Sequence, residues 1–338
     1  MRQPMVRAQL DLFPQDLVPS APATTEQERL AACLPEALRL GTSSWTFPGW
    51  QGIVWGRDVP KRRLAGEGLG AYARHPLLTG VGIDRSFYAP LAAEVYAGYA
   101  DQVPAGFRFL GKAHEHCTWL RFPAQPRYGA LAGQENQRFL DPAYTAREVV
   151  EPLRRGLGEH AGPLVFQFPP QGGMEPWRFA ERLHGFLRAL PRDLHYAVEI
   201  RSERWLTPDY AKALAENDAS HCYTVHPTMP SITEQRRVLD AAGDRAGVVV
   251  RWTLGGSQRY EAALERYAPF DRIVDSDPGS RCAIAALCVE ALEDGRPAFV
   301  TVNNKAEGSA PLSVFALAQA IADGLQADEA GAPEEVSP

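Results

Sequence analysis

The sequence predicts a single parallel (β/α)₈ barrel of the TIM type, and three observations predict it. Eight short apolar runs recur between about residue 36 and residue 322, separated by amphipathic segments. Several of these runs are nearly continuous in apolar residues, as parallel strands covered on both faces require. No glycine-rich turn follows the first run, which argues against an open doubly wound sheet. Strand and helix patterns alternating eight times define a barrel.

The eight strand-like runs are residues 37–45, 80–87, 107–114, 163–169, 195–201, 221–226, 248–254 and 298–304. Helical spacing follows most of them. In residues 177–190, for instance, Phe179, Leu183, Phe186, Leu187 and Leu190 share one face. One connection breaks the rhythm: residues 114–144 show no periodicity but carry Trp119, Phe122 and Tyr128. A long loop after a strand would lie over the barrel mouth as a lid or a wall of the site. Residues 1–35 are rich in Pro, Ala, Thr and Gln and are expected to be a disordered tail. The barrel is expected over residues 36–325, with a disordered acidic tail over residues 326–338.

Composition narrows the function. Hydrophobic residues make up 45% of the 338 and charged residues 22%, enough to bury a large core. No run is long enough to cross a membrane and no secretory leader is evident, so a cytoplasmic location is expected and a membrane partner is not. The five cysteines form no C-x-x-C pair and read as free thiols. A formal charge of −6 argues against coating nucleic acid by bulk electrostatics, though not against a local basic groove. Only Lys61, Lys112, Lys212 and Lys305 are lysines among 35 basic residues, so a lysine inside a strand stands out.

Barrel chemistry sits where the strands end, and here those ends are strongly polar. Glu199 and Arg201, two apart on one strand, face the same side. They form either a layer-closing salt bridge or a general acid or base beside an anion clamp. Lys112 suits Schiff-base chemistry or phosphate binding, or else pairs with a carboxylate such as Glu199. Glu199, Lys112 and His226 are therefore the catalytic candidates. Arg201, Arg251, Gln167, Ser86, Asn303 and Asn304 are candidate ligand contacts, with Trp45 and Tyr88 placed to stack. Ser43 and Ser44 lack a nucleophile-elbow context. No cofactor is expected. The alternative is a divalent metal on His114, Glu115 and His116, completed by Asp84, Glu199 or His226. The stretch 303–310, entering the last helix, is a candidate anion site.

At these positions the chain resembles the YecE-like family, domain of unknown function 72. The resemblance is carried by Gly41-Thr42-Ser43-Ser44-Trp45 with Trp50, Ser86-Phe87-Tyr88, and Phe107-Arg108-Phe109 with Lys112. It continues through Phe166-Gln167-Phe168-Pro169-Pro170, Val198-Glu199-Ile200-Arg201 with Trp205, and Asn303-Asn304 with Gly308, Ala310 and Pro311. It implies the barrel fold and no particular reaction. His114, His116, Lys305 and Glu307 depart from the family pattern. Near the N-terminus, Gln9-Leu10-Asp11-Leu12-Phe13 resembles the pentapeptide that binds the bacterial sliding clamp. In that mode Leu12 and Phe13 fill an apolar pocket, and the clamp raises the local concentration of the barrel on DNA. The sequence therefore points to an enzyme, a hydrolase or lyase, acting on a nucleotide or phosphodiester in DNA metabolism and DNA repair. The alternatives are an enzyme of sugars or sugar phosphates, or a non-catalytic nucleic-acid-binding module.

Overall fold

A computed structural model describes residues 18–240, 246–255 and 260–331. The pentapeptide at residues 9–13 lies outside the described residues. Eight parallel strands close into a barrel in chain order. They are β1 (Leu38–Thr42), β2 (Gly80–Ile83), β3 (Arg108–Lys112), β4 (Ala161–Phe168), β5 (Tyr196–Ile200), β6 (Ser220–Val225), β7 (Val248–Trp252) and β8 (Ala298–Val302). The register of β8 against β1 pairs Leu38 with Ala298 and Thr42 with Val302, which seals the ring.

Helices cover the outside: α1 (Thr25–Cys33), α2 (Lys61–Tyr72), α3 (Ala93–Ala100), α4 (Pro142–Thr145), α5 (Glu151–Leu157) and α6 (Pro176–Ala189) precede β5. After it come α7 (Pro208–Ala215), α8 (Ile232–Asp240), α9 (Tyr260–Tyr267), α10 (Pro278–Glu293) and α11 (Ala310–Gly331). Their starts are specified locally. Thr207 caps α7 by accepting from the Tyr210 amide, and Asp277 caps α10 by accepting from the Ser280 amide. Gly308, at φ +121°, makes the turn into α11, where a Cβ would lie 2.6 Å from the Arg272 carbonyl.

Strand alternation splits the core in two. Phe109, Phe166, Val198, Val250 and Val300 point outward into the large core under the helices. Their neighbours Leu110, Val165, Ala197, Cys222, Val249 and Phe299 form a separate apolar plug inside the barrel. Two residues further along the same strands, on the same inner face, stand Lys112, Gln167, Glu199, Thr224, Arg251 and Thr301. The period of two thus converts an apolar layer into a polar one exactly one repeat higher.

The ends of the chain differ from expectation. Residues 18–35, read as tail, dock on the barrel: Val18 is buried, Ser20 bridges to Trp55, and Thr24 opens α1 with a capping box. α1 buries none of its residues, so it has no apolar stripe by which to announce itself. The last helix continues six residues past the expected end at 325. The long connection after β3 is folded, with short 3₁₀ turns at Glu115–Cys117 and Pro126–Leu131. Buried Glu115 organises it, accepting from Trp119 Nε1 (3.3 Å), Arg127 (2.8 Å) and the Tyr128 hydroxyl (2.9 Å).

Candidate active site at the barrel mouth

The polar inner layer is one connected ion-pair network. Glu199 on β5 is fully buried; one carboxylate oxygen accepts from Arg201 Nε at 2.8 Å and the other pairs with Arg251. Arg251 on β7 also reaches Gln167 Oε1 at 3.2 Å and Asp84 Oδ1 at 3.1 Å. Lys112 on β3 closes the ring, its ammonium 3.8 Å from the same Asp84 oxygen and 4.1 Å from the centre of the Phe87 ring. Three cations against two carboxylates leave the mouth with one net positive charge.

The protonation states follow from burial and charge together. Burial alone would raise the Glu199 carboxyl, but Arg201, Arg251 and Lys112 outweigh it and hold the group well below the usual carboxylate range. Glu199 is therefore a fixed anion with both oxygens occupied. Those contacts make Glu199 part of an ion-pair layer that closes the barrel mouth. Burial lowers the Lys112 ammonium to about 8, with Arg251 and Arg201 pushing the same way and Asp84 and Glu199 opposing. Arg251 gives its terminal nitrogens to Glu199, Gln167 and Asp84, whereas Arg201 gives only its Nε to Glu199. The terminal nitrogens of Arg201 make no hydrogen bond among the described residues, and its side chain is 19% exposed.

His226, at the end of β6, stands beside the network. Burial lowers it to about 4, with Arg201 adding and Glu199 opposing, so it is neutral at physiological pH. Its Nδ1 accepts from the Thr228 amide at 3.3 Å, which leaves the proton on Nε2. Tyr88 is 62% exposed at the rim, with the Arg127 guanidinium 5.6 Å from its ring centre.

Other expected ligand contacts are engaged inside the fold. Trp45 is buried edge-on against Tyr99, with centroids 5.3 Å apart, and cannot stack on a ligand without moving. Asn304 Oδ1 accepts from Trp50 Nε1 (3.1 Å) and the Ala310 amide (2.8 Å), tying β8 to α11. Asn303 Oδ1 accepts from the Lys305 amide within the same turn. The Ser86 hydroxyl lies 2.6 Å from the Lys112 carbonyl, so it braces the lysine's strand and does not face a ligand. His114 and His116 stack on each other at 4.2 Å, and His114 Nδ1 sits 2.6 Å from the Tyr144 hydroxyl. Among the described residues no three His, Cys, Asp or Glu side chains converge as a metal set.

Sequence reasoning named Asp84 only as a residue that would complete a metal set, whereas it bridges Lys112 to Arg251. It also passed over a groove of about 530 Å³ beside the mouth, lined by Arg121 and Glu135 from the loop after β3 and by Arg178 and Arg182 at the start of α6. Trp177, 59% exposed, stands next to it on the same helix. The loop after β3 forms one wall of this groove and is pinned there by Gln171, which accepts from the Leu120 amide at 2.7 Å.

Comparison with known proteins agrees with this architecture. A DUF72 protein from Enterococcus faecalis is 16% identical, with 86% of this chain and 95% of that chain covered at a TM-score of 0.55. A DUF72 protein from Thermotoga maritima is also 16% identical, covering 83% of this chain and 98% of that chain at a TM-score of 0.53. At such identities the likeness is one of fold alone. No curated protein matches the chain. The family model described as "Protein of unknown function DUF72" matches residues 39–336, and the chain belongs to that family.

Proposed function

We propose that the barrel mouth is the active site of an enzyme acting on the sugar–phosphate part of DNA, with Lys112 as the reacting amine. The observation that carries this reading is the buried Lys112–Asp84–Arg251–Glu199–Arg201 network: it holds an amine whose ammonium burial has lowered to about 8 beside a guanidinium with unused donors. The neutral amine attacks an aldehyde carbon, such as that of a base-free deoxyribose, expels water and leaves an imine. Arg201 takes the adjacent phosphate, for which a planar guanidinium is suited. His226 presents its Nε2 proton within the same field. Exposed Trp177 and Tyr88, with the Arg121–Arg178–Arg182 groove, supply the stacking rings and cations that single-stranded nucleic acid needs. The Gln9–Phe13 segment, in this reading, recruits the enzyme to DNA through the sliding clamp.

Borohydride trapping tests the chemistry, because it reduces an imine to a stable amine. An oligonucleotide with one abasic site should cross-link to the wild-type chain and not to Lys112→Arg. The trapping rate should rise with pH and level off above about 8, where an ordinary lysine would climb to about 10.4. Trapping of free sugar phosphates in place of the oligonucleotide would favour a small-molecule enzyme. An unchanged yield in Lys112→Arg would sink the assignment of the amine.

A further inference from the structure

A cavity of about 330 Å³ lies beside β6, between the loop that leads from β6 to α8 and the start of α10. Val225 and His226 at the end of β6 and Leu254 after β7 line it, so it sits at the C-terminal ends of the strands, as the mouth does. Its size is at the lower end of the range of small-molecule sites. Met229, Ile232, Leu254 and Ala283 give it apolar walls. Among the described residues Asp277 is the one charged side chain that lines it.

The polar atoms left free in this lining are of two kinds. Asp277 Oδ1 accepts from the Ser280 amide at 2.9 Å and caps α10, while Oδ2 makes no hydrogen bond among the described residues. His226 Nδ1 is taken by the amide and hydroxyl of Thr228, at 3.3 and 2.8 Å, so the ring has its Nε2 proton to give. Ser231 is spent on α8, where it donates to the Glu234 carboxylate and accepts from the Glu234 amide. The hydroxyls of Thr233 and Ser280 can give or take. One free acceptor and one free donor thus stand between apolar walls.

That set selects among ligands. A phosphate or carboxylate would meet Asp277 with no cation opposite. An ammonium would suit Asp277 but set its own protons against that of His226. A neutral planar ring with a carbonyl or ring nitrogen beside an N–H matches both atoms, and the apolar walls suit its faces. His226 also ties the cavity to the mouth, because Arg201, Glu199 and Arg251 all act on it electrostatically.

We propose that this cavity seats a nucleobase of the strand whose sugar–phosphate the mouth engages. His226 Nε2 donates to the carbonyl or ring nitrogen of the base, and Asp277 accepts from its N–H. The inference rests on the DNA reading of the mouth and adds a base, held beyond β6, to the ligand.

Photo-cross-linking tests it, with the full chain and a single-stranded oligonucleotide that carries 5-iodouracil next to one abasic site. The excited base forms an adduct with the side chain it touches, and mass spectrometry identifies that residue. Adducts should fall on Met229 or His226. Millimolar deoxyuridine should suppress them, whereas 1,2-dideoxyribose, the same sugar without a base or an aldehyde, should not. Asp277→Asn keeps an oxygen for the Ser280 amide and replaces the free oxygen by NH2; it should cut the yield about ten-fold. Should that variant fail to fold, the deoxyuridine competition on the wild-type chain still decides. Adducts on Trp177 or Tyr88 alone, no adduct, no competition by deoxyuridine, or an undiminished yield in folded Asp277→Asn would each overturn the pocket while leaving imine trapping at Lys112 untouched. Adducts on Met229 in a chain that traps no abasic oligonucleotide would sink the mouth chemistry and keep the pocket.

Discussion

At the scale of single residues, Glu199 decides the mouth. Its two oxygens fix Arg201 and Arg251, and through Arg251 they fix Asp84 and so the surroundings of Lys112. Removing its charge leaves two guanidiniums without their buried counter-charge, and breaking one partner of such a pair typically costs about 3–5 kcal/mol. Glu199→Gln should therefore lower unfolding free energy in urea by that order, and Glu199→Gln with Arg251→Met should recover part of it. A loss of turnover at unchanged stability would instead make Glu199 an acid or base. The residue types at the mouth were legible from the strand ends, because period-two alternation places 112, 167, 199 and 251 inside without any coordinates. Their partners were not. Nothing in the sequence reveals that Asp84 and Arg251, 167 positions apart, come to 3.1 Å. Nor does the spacing tell the Arg201 side chain, whose terminal nitrogens are unused, from Arg251, whose terminal nitrogens reach three partners.

At the scale of elements, the eight strands were readable because a parallel strand must be apolar on both faces and leaves an unbroken run. α6 was readable from its apolar stripe. α1 and the final turns of α11 were not, since one buries nothing and the other continues through an acidic stretch that reads as tail. Polar residues inside elements are the harder case, and β6 shows why. His221 lies fully buried between the Tyr210 hydroxyl (2.8 Å) and Gln235 Oε1 (3.0 Å), linking β6 to α7 and α8. From sequence it was merely the first residue of a strand run. Burial lowers it to about 4, with Gln235 opposing, so the folded protein keeps it neutral while the unfolded chain protonates it near 6.5. The unfolded state then binds more protons below pH 6.5. Stability is complete above that pH and falls as pH drops toward about 4, by roughly 3 kcal/mol for this residue. Denaturation followed from pH 7 to pH 4 should lose less stability in His221→Gln than in wild type. An equal loss in both would place the acid sensitivity elsewhere.

At the scale of the whole molecule, the proposed function has to reconcile net charge with local charge. The chain carries −6 overall, so long-range attraction to DNA is weak or adverse. The Arg121–Arg178–Arg182 groove and the mouth are positive only locally. Arg178 and Arg182, four apart on α6, also repel each other in the free protein. In the proposed function such a surface engages DNA only once something else has brought it near, the task assigned there to the pentapeptide, which would raise effective concentration without new contacts. The full chain should bind purified bacterial sliding clamp at micromolar Kd, about −8 kcal/mol, and Leu12→Ala with Phe13→Ala should abolish this. On single-stranded oligonucleotide alone, Arg178→Gln with Arg182→Gln should flatten the log–log salt dependence by about 1.4, two contacts at 0.7 each. The two outcomes separate cleanly. A flattened slope without clamp binding would leave a nucleic-acid surface with no recruiter. Clamp binding with an unchanged slope would instead move the DNA path off α6 and back to the rim around Tyr88 and Arg127.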